Sequence, residues 1–171
     1  MKIFKQVLLA LFVSLAVTAC KKDDEGGDDP QGGEGTLTAK IDGQSFSADI
    51  AVQAQISDAG QTDVLAISGG TSQSENLQMI IQGFDGVGTY DLNFTNIGTY
   101  SYLPDPNNPD PNTVKIYISI NGTQSTGEVN VSSFDGDNIK GTFSFTGYDV
   151  NNQSDSVTVT DGQFNLAVTN N

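Results

Sequence analysis

The most regular alternation of apolar and polar residues in this chain is Val114, Ile116, Ile118 and Ile120 set against Lys115, Tyr117 and Ser119. A period of two predicts a half-buried β-strand with its aliphatic side turned to the core. The same period recurs at Ile50, Val52, Ala54 and Ile56, at Leu77, Met79 and Ile81, at Val129 and Val131, at Phe143 and Phe145, at Val157 and Val159, and at Phe164, Leu166 and Val168. Asn, Ser, Thr and Gln fill the opposite positions. Between the runs stand Asp42-Gly43, Asp85-Gly86, Asn121-Gly122, Asp135-Gly136 and Asp161-Gly162, pairs that tolerate the positive φ of tight hairpins. No stretch beyond residue 35 sustains a 3.6-residue apolar stripe. Short strands at roughly ten-residue spacing with turn pairs between them predict an all-β fold, an antiparallel β-sandwich or flattened barrel of about ten strands over residues 36–171, with strand order left open.

Leu103 to Asn112 breaks the rhythm, because it holds four of the five prolines. Proline lacks the ladder donor and pushes its predecessor toward extended geometry, so the segment predicts a stiff exposed loop. Tyr90, Tyr100 and Tyr102 precede it. Loops on a rigid β scaffold are where binding residues concentrate, which makes Tyr100, Tyr102, Asp105 and Asp110 candidate ligand contacts. The plain alternative is a long hairpin tip without a ligand.

The N-terminal end has a different grammar. Lys2 and Lys5 flank a polar start, an apolar run extends from Val7 to Val17, and small residues lead to Cys20, the one cysteine of the chain. Eleven residues span about 16 Å as a helix, roughly half a bilayer's hydrocarbon core. The run therefore reads as an export signal over residues 1–19. Val17-Thr18-Ala19-Cys20 resembles the lipobox of bacterial lipoproteins, which implies acylation of Cys20 as the mature N-terminus and a protein held at the membrane without spanning it. Residues 20–35 carry Lys21-Lys22-Asp23-Asp24-Glu25 and then mostly Gly, Asp and Glu. Such a segment cannot bury enough surface to offset its ordering entropy and is expected to be a flexible acidic linker. Cys followed by Lys and acids resembles the surface-export signal of Bacteroidota lipoproteins, which implies outer-membrane placement at the cell surface, with the periplasmic face as the alternative.

Charge narrows the partners. All seven basic residues are lysines, and residues 36–171 hold three of them against fifteen acids, a net charge of −12. A surface so acidic and without arginine is repelled by phosphate backbones, which argues against nucleic acid. Enzyme chemistry narrows in the same way. There is no histidine, so no imidazole is present for a triad, a usual zinc site or general-base work near neutral pH. A glycosidase-like carboxylate pair would survive these exclusions, but no pair stands out and the chain has no tryptophan for a sugar-stacking cleft. The expectation is a non-catalytic protein without a cofactor. Asp135 and Asp137 are the weak candidates for calcium, and a hairpin turn explains them as well.

The stretch Gly141-Thr142-Phe143-Ser144-Phe145, followed by Val157 to Phe164, and the earlier Leu37-Thr38-Ala39-Lys40-Ile41-Asp42-Gly43-Gln44-Ser45-Phe46 resemble the strands that open and close small Bacteroidota lipoproteins grouped as a domain of unknown function. Those motifs are packing and turn residues, so the resemblance implies location and fold and transfers no activity. Two functions remain: an interaction lipoprotein presenting its β domain to another envelope protein, or a glycan-binding or adhesion module at the cell surface.

Overall fold

The computed structural model describes residues 35–60, 62–122 and 124–170. The expected signal, Cys20 and all of the linker but Gly35 lie outside the described residues. Eleven strands follow in order: β1 Thr36–Ile41, β2 Gln44–Ser47, β3 Ile50–Asp58, β4 Asp63–Gly70, β5 Glu75–Phe84, β6 Gly88–Leu92, β7 Ile97–Tyr102, β8 Lys115–Ile118, β9 Gly127–Phe134, β10 Asn138–Asp149 and β11 Ser156–Asn170. One 3-10 turn, Pro111–Thr113, precedes β8. The strand runs read from alternation are all present, while β4, β6 and β7 lie in stretches where glycine and polar residues blur the period.

Pairing runs β2-β1-β11-β3-β4-β5-β7-β8-β10-β9-β6, and an additional β11–β10 ladder closes seven of these strands into a ring. The result is a flattened barrel. One layer is β2-β1-β11-β10-β9-β6, the other is β3-β4-β5-β7-β8, and they join at two corners. At one, the last residues of β11 pair with β3; at the other, Tyr148 and Asp149 of β10 pair with β8.

The expected antiparallel arrangement has one exception, the β3–β11 pair, which is parallel. Its cause is local. β2 returns antiparallel along β1, which is itself antiparallel to β11, and only Ala48-Asp49 separate β2 from β3. The chain therefore steps between layers without reversing: Ala48 N–H donates to Leu37 O on one side and Asp49 N–H to Gly70 O on the other.

Between the layers lies a continuous core in which Leu37, Leu65, Ile67, Leu77, Met79, Ile81, Leu92, Val129, Val131 and Ile139 are fully buried. Each such side chain contributes about 1.5–3 kcal/mol by leaving water. Phe143, Phe145 and Phe164 point inward as their spacing predicts.

Besides Ile50, which is 52% exposed because the register of β3 shifts between it and Gln53, two expectations from the pattern are corrected. Asp161-Gly162 is not a hairpin turn. It is a bulge within β11, where the register against both β1 and β10 slips and Asp161 adopts φ 51°. The extra residue resets the alternation, so Val157 and Val159 face inward before it and Phe164 and Leu166 after it. Gly162 is required there, since a Cβ would stand 2.4 Å from Phe143 O and 2.6 Å from its ring.

The second correction concerns β8, whose faces are the reverse of those predicted. Tyr117 and Ser119 are buried, whereas Ile116 is 36% exposed and Val114, Ile118 and Ile120 are half-buried. Tyr117 brings a larger apolar surface than an isoleucine. Ser119 is satisfied inside, because Gly98 N–H donates to its Oγ at 2.8 Å.

Candidate interaction face

The residues singled out beside the proline loop divide by burial. Tyr100 is 5% exposed and Tyr117 is 4% exposed, so both belong to the core, and of the three neighbouring rings only Tyr102 keeps appreciable surface. The Tyr102 and Tyr117 rings lie nearly parallel with centroids 6.4 Å apart, and Tyr100 sits 5.8 Å from Tyr102. Their hydroxyls turn to carboxylates at the barrel end: Tyr100 donates to Glu75 Oε1 at 2.8 Å and Tyr117 to Asp155 Oδ2 at 3.1 Å. Burial first, and these hydrogen bonds second, push both phenols well above the ordinary tyrosine range. Lys115 completes the cluster, with Nζ 2.8 Å from Asp149 Oδ2 and 3.5 Å from Asp155 Oδ2. Sequence reasoning missed Glu75, Lys115, Asp149 and Asp155, which come from three separate stretches of the chain and meet only through the β5–β7–β8–β10 pairing. The cluster is internally paired.

The candidate acids serve their own loops. Asp105 Oδ1 accepts from Asn107 N and Asn108 N. Asp110 Oδ1 accepts from Asn112 N at 2.9 Å and caps the 3-10 turn, bonds that lower its carboxyl below the usual range. Asp135 Oδ1 accepts from Asp137 N and Asn138 N across the β9–β10 turn and is lowered for the same reason. Asp137 is exposed beside it. Among the described residues no three acids gather as a metal site.

A different feature emerges on the outside of the β3-β4-β5-β7-β8 layer. Strand register places outward side chains in rows: Ser57, Val64 and Gln82 in one; Gln55, Ala66, Ile80 and Ile97 in the next; then Gln53, Ser68, Gln78, Thr99 and Ile118; and last Asn76, Ser101 and Ile116. None is charged. Tyr148 extends the third row through its pairing with Ile118, and Val150, 43% exposed, adjoins Ile116 through a hydrogen bond from its N–H to Ile116 O. The acids of these strands, Asp58, Asp63 and Glu75, stand at strand ends.

The opposite outer surface contrasts with it. There Lys40, Lys140, Glu128 and Asp91 stand exposed among Thr, Ser and Asn, and Lys40 meets Asp161 at 2.8 Å. A shallow groove of about 660 Å³ crosses the bulge, lined by Thr142, Ser144, Thr160, Gln163, Glu128 and the Lys40–Asp161 pair. In a chain this acidic, a sheet face that keeps every charge off and spaces aliphatics among amides and hydroxyls is the surface most easily stripped of water. In the sequence the outward parity of β3 and β5 was legible from the polar positions opposite Ala54, Ile56, Leu77, Met79 and Ile81, that of β8 was misread, and the joining of these strands into one face was not visible.

Residues 33–166 match a family described as a domain of unknown function, DUF6252, and the chain belongs to that family. No curated protein matches the chain. No solved structure matches it either.

Proposed function

For this member of the DUF6252 family we propose a non-catalytic lipoprotein, anchored through Cys20 to the outer membrane and facing the cell surface, whose β domain docks an envelope protein. The uncharged outer face of β3-β4-β5-β7-β8 is the observation that carries this reading. Docking there requires no charge to leave water, and burying a charge without a partner is the costliest step in forming an interface. Elsewhere the acids repel the anionic surfaces of a cell envelope and keep nonspecific contacts loose. The lipobox-like Val17-Thr18-Ala19-Cys20 and the acidic linker support the address. Several acyl chains on one cysteine hold stably where a single chain does not.

Cysteine crosslinking in intact envelopes tests the docking. Thr99→Cys lies mid-face and Asn130→Cys lies on the charged outer surface. The expected result is a discrete protein adduct from position 99 and none from 130. Equal adducts at both positions, or none at either, overturn the reading. The address is tested separately: Cys20→Ser is expected to leave an unprocessed precursor that no longer partitions with detergent, and unchanged partitioning removes the anchor.

A second reading, glycan binding, is favoured by the groove over the β11 bulge, whose hydroxyls, amide and paired charges suit a polyhydroxylated ligand. Binding on a glycan array that is lost in Thr142→Val would support it. No binding to any glycan ends it.

A further inference from the structure

We infer that the partner on the uncharged face is a second copy of this chain, seated about a two-fold axis near Thr99; this rests on the docking reading above. Three observations carry it. Residues 36–171 hold three lysines against fifteen acids, so two copies repel wherever acids face each other, and this face is where they approach without opposing like charges. A basic partner would be drawn to the acid-bearing surfaces instead.

The face is also chemically self-matching. Gln55 and Gln78 each present a donor and an acceptor through one amide, and Ile80, Ile97 and Ile118 meet aliphatic neighbours in either direction. A two-fold contact demands such self-complementarity, since the same patch serves both partners.

Size agrees. Five strands about 4.8 Å apart, lending outward rows over ~20 Å, make a flat footprint of roughly 500 Å² per copy. Side-chain relief and the flanking Tyr148 and Val150 bring it toward the ~800 Å² per partner of a standard interface.

Because Cys20 is the only cysteine and acylation would block it, a single introduced thiol reports on the contact. The mature full chain, purified in detergent, is oxidised as Thr99→Cys and as Asn130→Cys, and the unsubstituted chain is sedimented in parallel. The expected result is a dimer in sedimentation and a disulfide-linked dimer from position 99 alone, because a residue near a two-fold axis faces its own copy. Thr99→Lys, which sets like charges against each other, is expected to weaken self-association ~10-fold or more while the melting temperature stays near that of the unsubstituted chain. A monomer in sedimentation with no linked dimer overturns the inference. If envelope crosslinking still gives an adduct to a different protein, the docking reading stands and only the second copy falls; if neither experiment gives an adduct, both fall. A dimer indifferent to Thr99→Lys also overturns it, by placing the contact on another surface.

Discussion

Lys115 Nζ lies 2.8 Å from Asp149 Oδ2 at the corner where β10 leaves one layer to pair with β8 in the other. Asp149 is almost wholly buried and also accepts from the N–H groups of Asn151 and Asn152, so one carboxylate holds the seam and starts the loop toward β11. The bond to Lys115, then those from the backbone, lower its carboxyl below the usual range, and the lysine is raised in turn. A depressed carboxyl stabilises the fold above its unfolded value near ~4 and loses that contribution as pH falls through the folded value. A raised lysine contributes below about 10.5 and loses the contribution as pH rises through its folded value. The pair is therefore intact between these limits. The melting-temperature gap between the unsubstituted chain and Asp149→Asn is expected to be widest from about pH 5 to 9 and to close as acidification carries the pH down through the lowered folded value of Asp149. A gap that stays constant through the acid limb would show that the carboxylate's charge is not what holds the corner.

Tyr100 and Tyr117 should keep their protons in alkali for as long as the barrel stays closed. Their raised values favour the neutral phenol in the folded state, so this contribution is complete below about pH 10 and lost as pH rises through the folded values. Phenolate absorbance at about pH 11 is expected to be the same in the unsubstituted chain, Tyr100→Phe and Tyr117→Phe. A clear drop in either variant would show that its hydroxyl titrates freely.

Neighbouring positions in β8 separate the two possible strand faces. Tyr117→Ala removes a buried ring and Phe145→Ala removes another, each expected to cost about 3–5 kcal/mol, a large part of a typical domain's 5–15 kcal/mol. Ile116→Ala, on the outer face, is expected to shift stability by under ~1 kcal/mol. Tyr102→Ala should fall between, since its ring packs on the core while keeping exposed surface. Denaturant melts of the four variants check the order, and an Ile116→Ala as damaging as Tyr117→Ala would reverse the faces.

The bulge in β11 makes a sharper demand on one glycine. Gly162→Ala drives a Cβ against Phe143 O and its ring, so backbone must shift in a strand held by β1 on one side and β10 on the other. The expected loss is at least ~2 kcal/mol, in the range of overpacked cores. Removing Asp161 from the Lys40 pair with Asp161→Asn should matter little, because that pair is exposed and solvent screens it; asparagine also tolerates the left-handed φ. Comparable losses from the two substitutions would show that the ion pair, rather than the close approach, shapes the bulge.

Local chemistry settled the fold class and many of its details from the chain alone. Alternation at Leu77, Met79 and Ile81 or at Phe143 and Phe145 is a property of a few consecutive residues, and the pleat converts it directly into a buried face. Asp42-Gly43 carries its hairpin in the same way, with φ of 48° and 82° available to that pair. The turn roles of Asp105, Asp110 and Asp135 were likewise within reach, since each bonds backbone two or three residues ahead.

Only the tertiary structure decided what depends on distant partners. Period two states that β8 has two faces and cannot say which is inside: that is set by Tyr100, Asp155 and Gly98 closing around Tyr117 and Ser119, contacts that span up to 38 residues of chain. Asp161-Gly162 has the composition of a turn and acts as a bulge because β1 and β10 flank it on both sides. The uncharged face has the same origin. Its rows draw on five strands between residues 50 and 118, and side chains tens of residues apart become neighbours only once hydrogen-bond register sets them side by side.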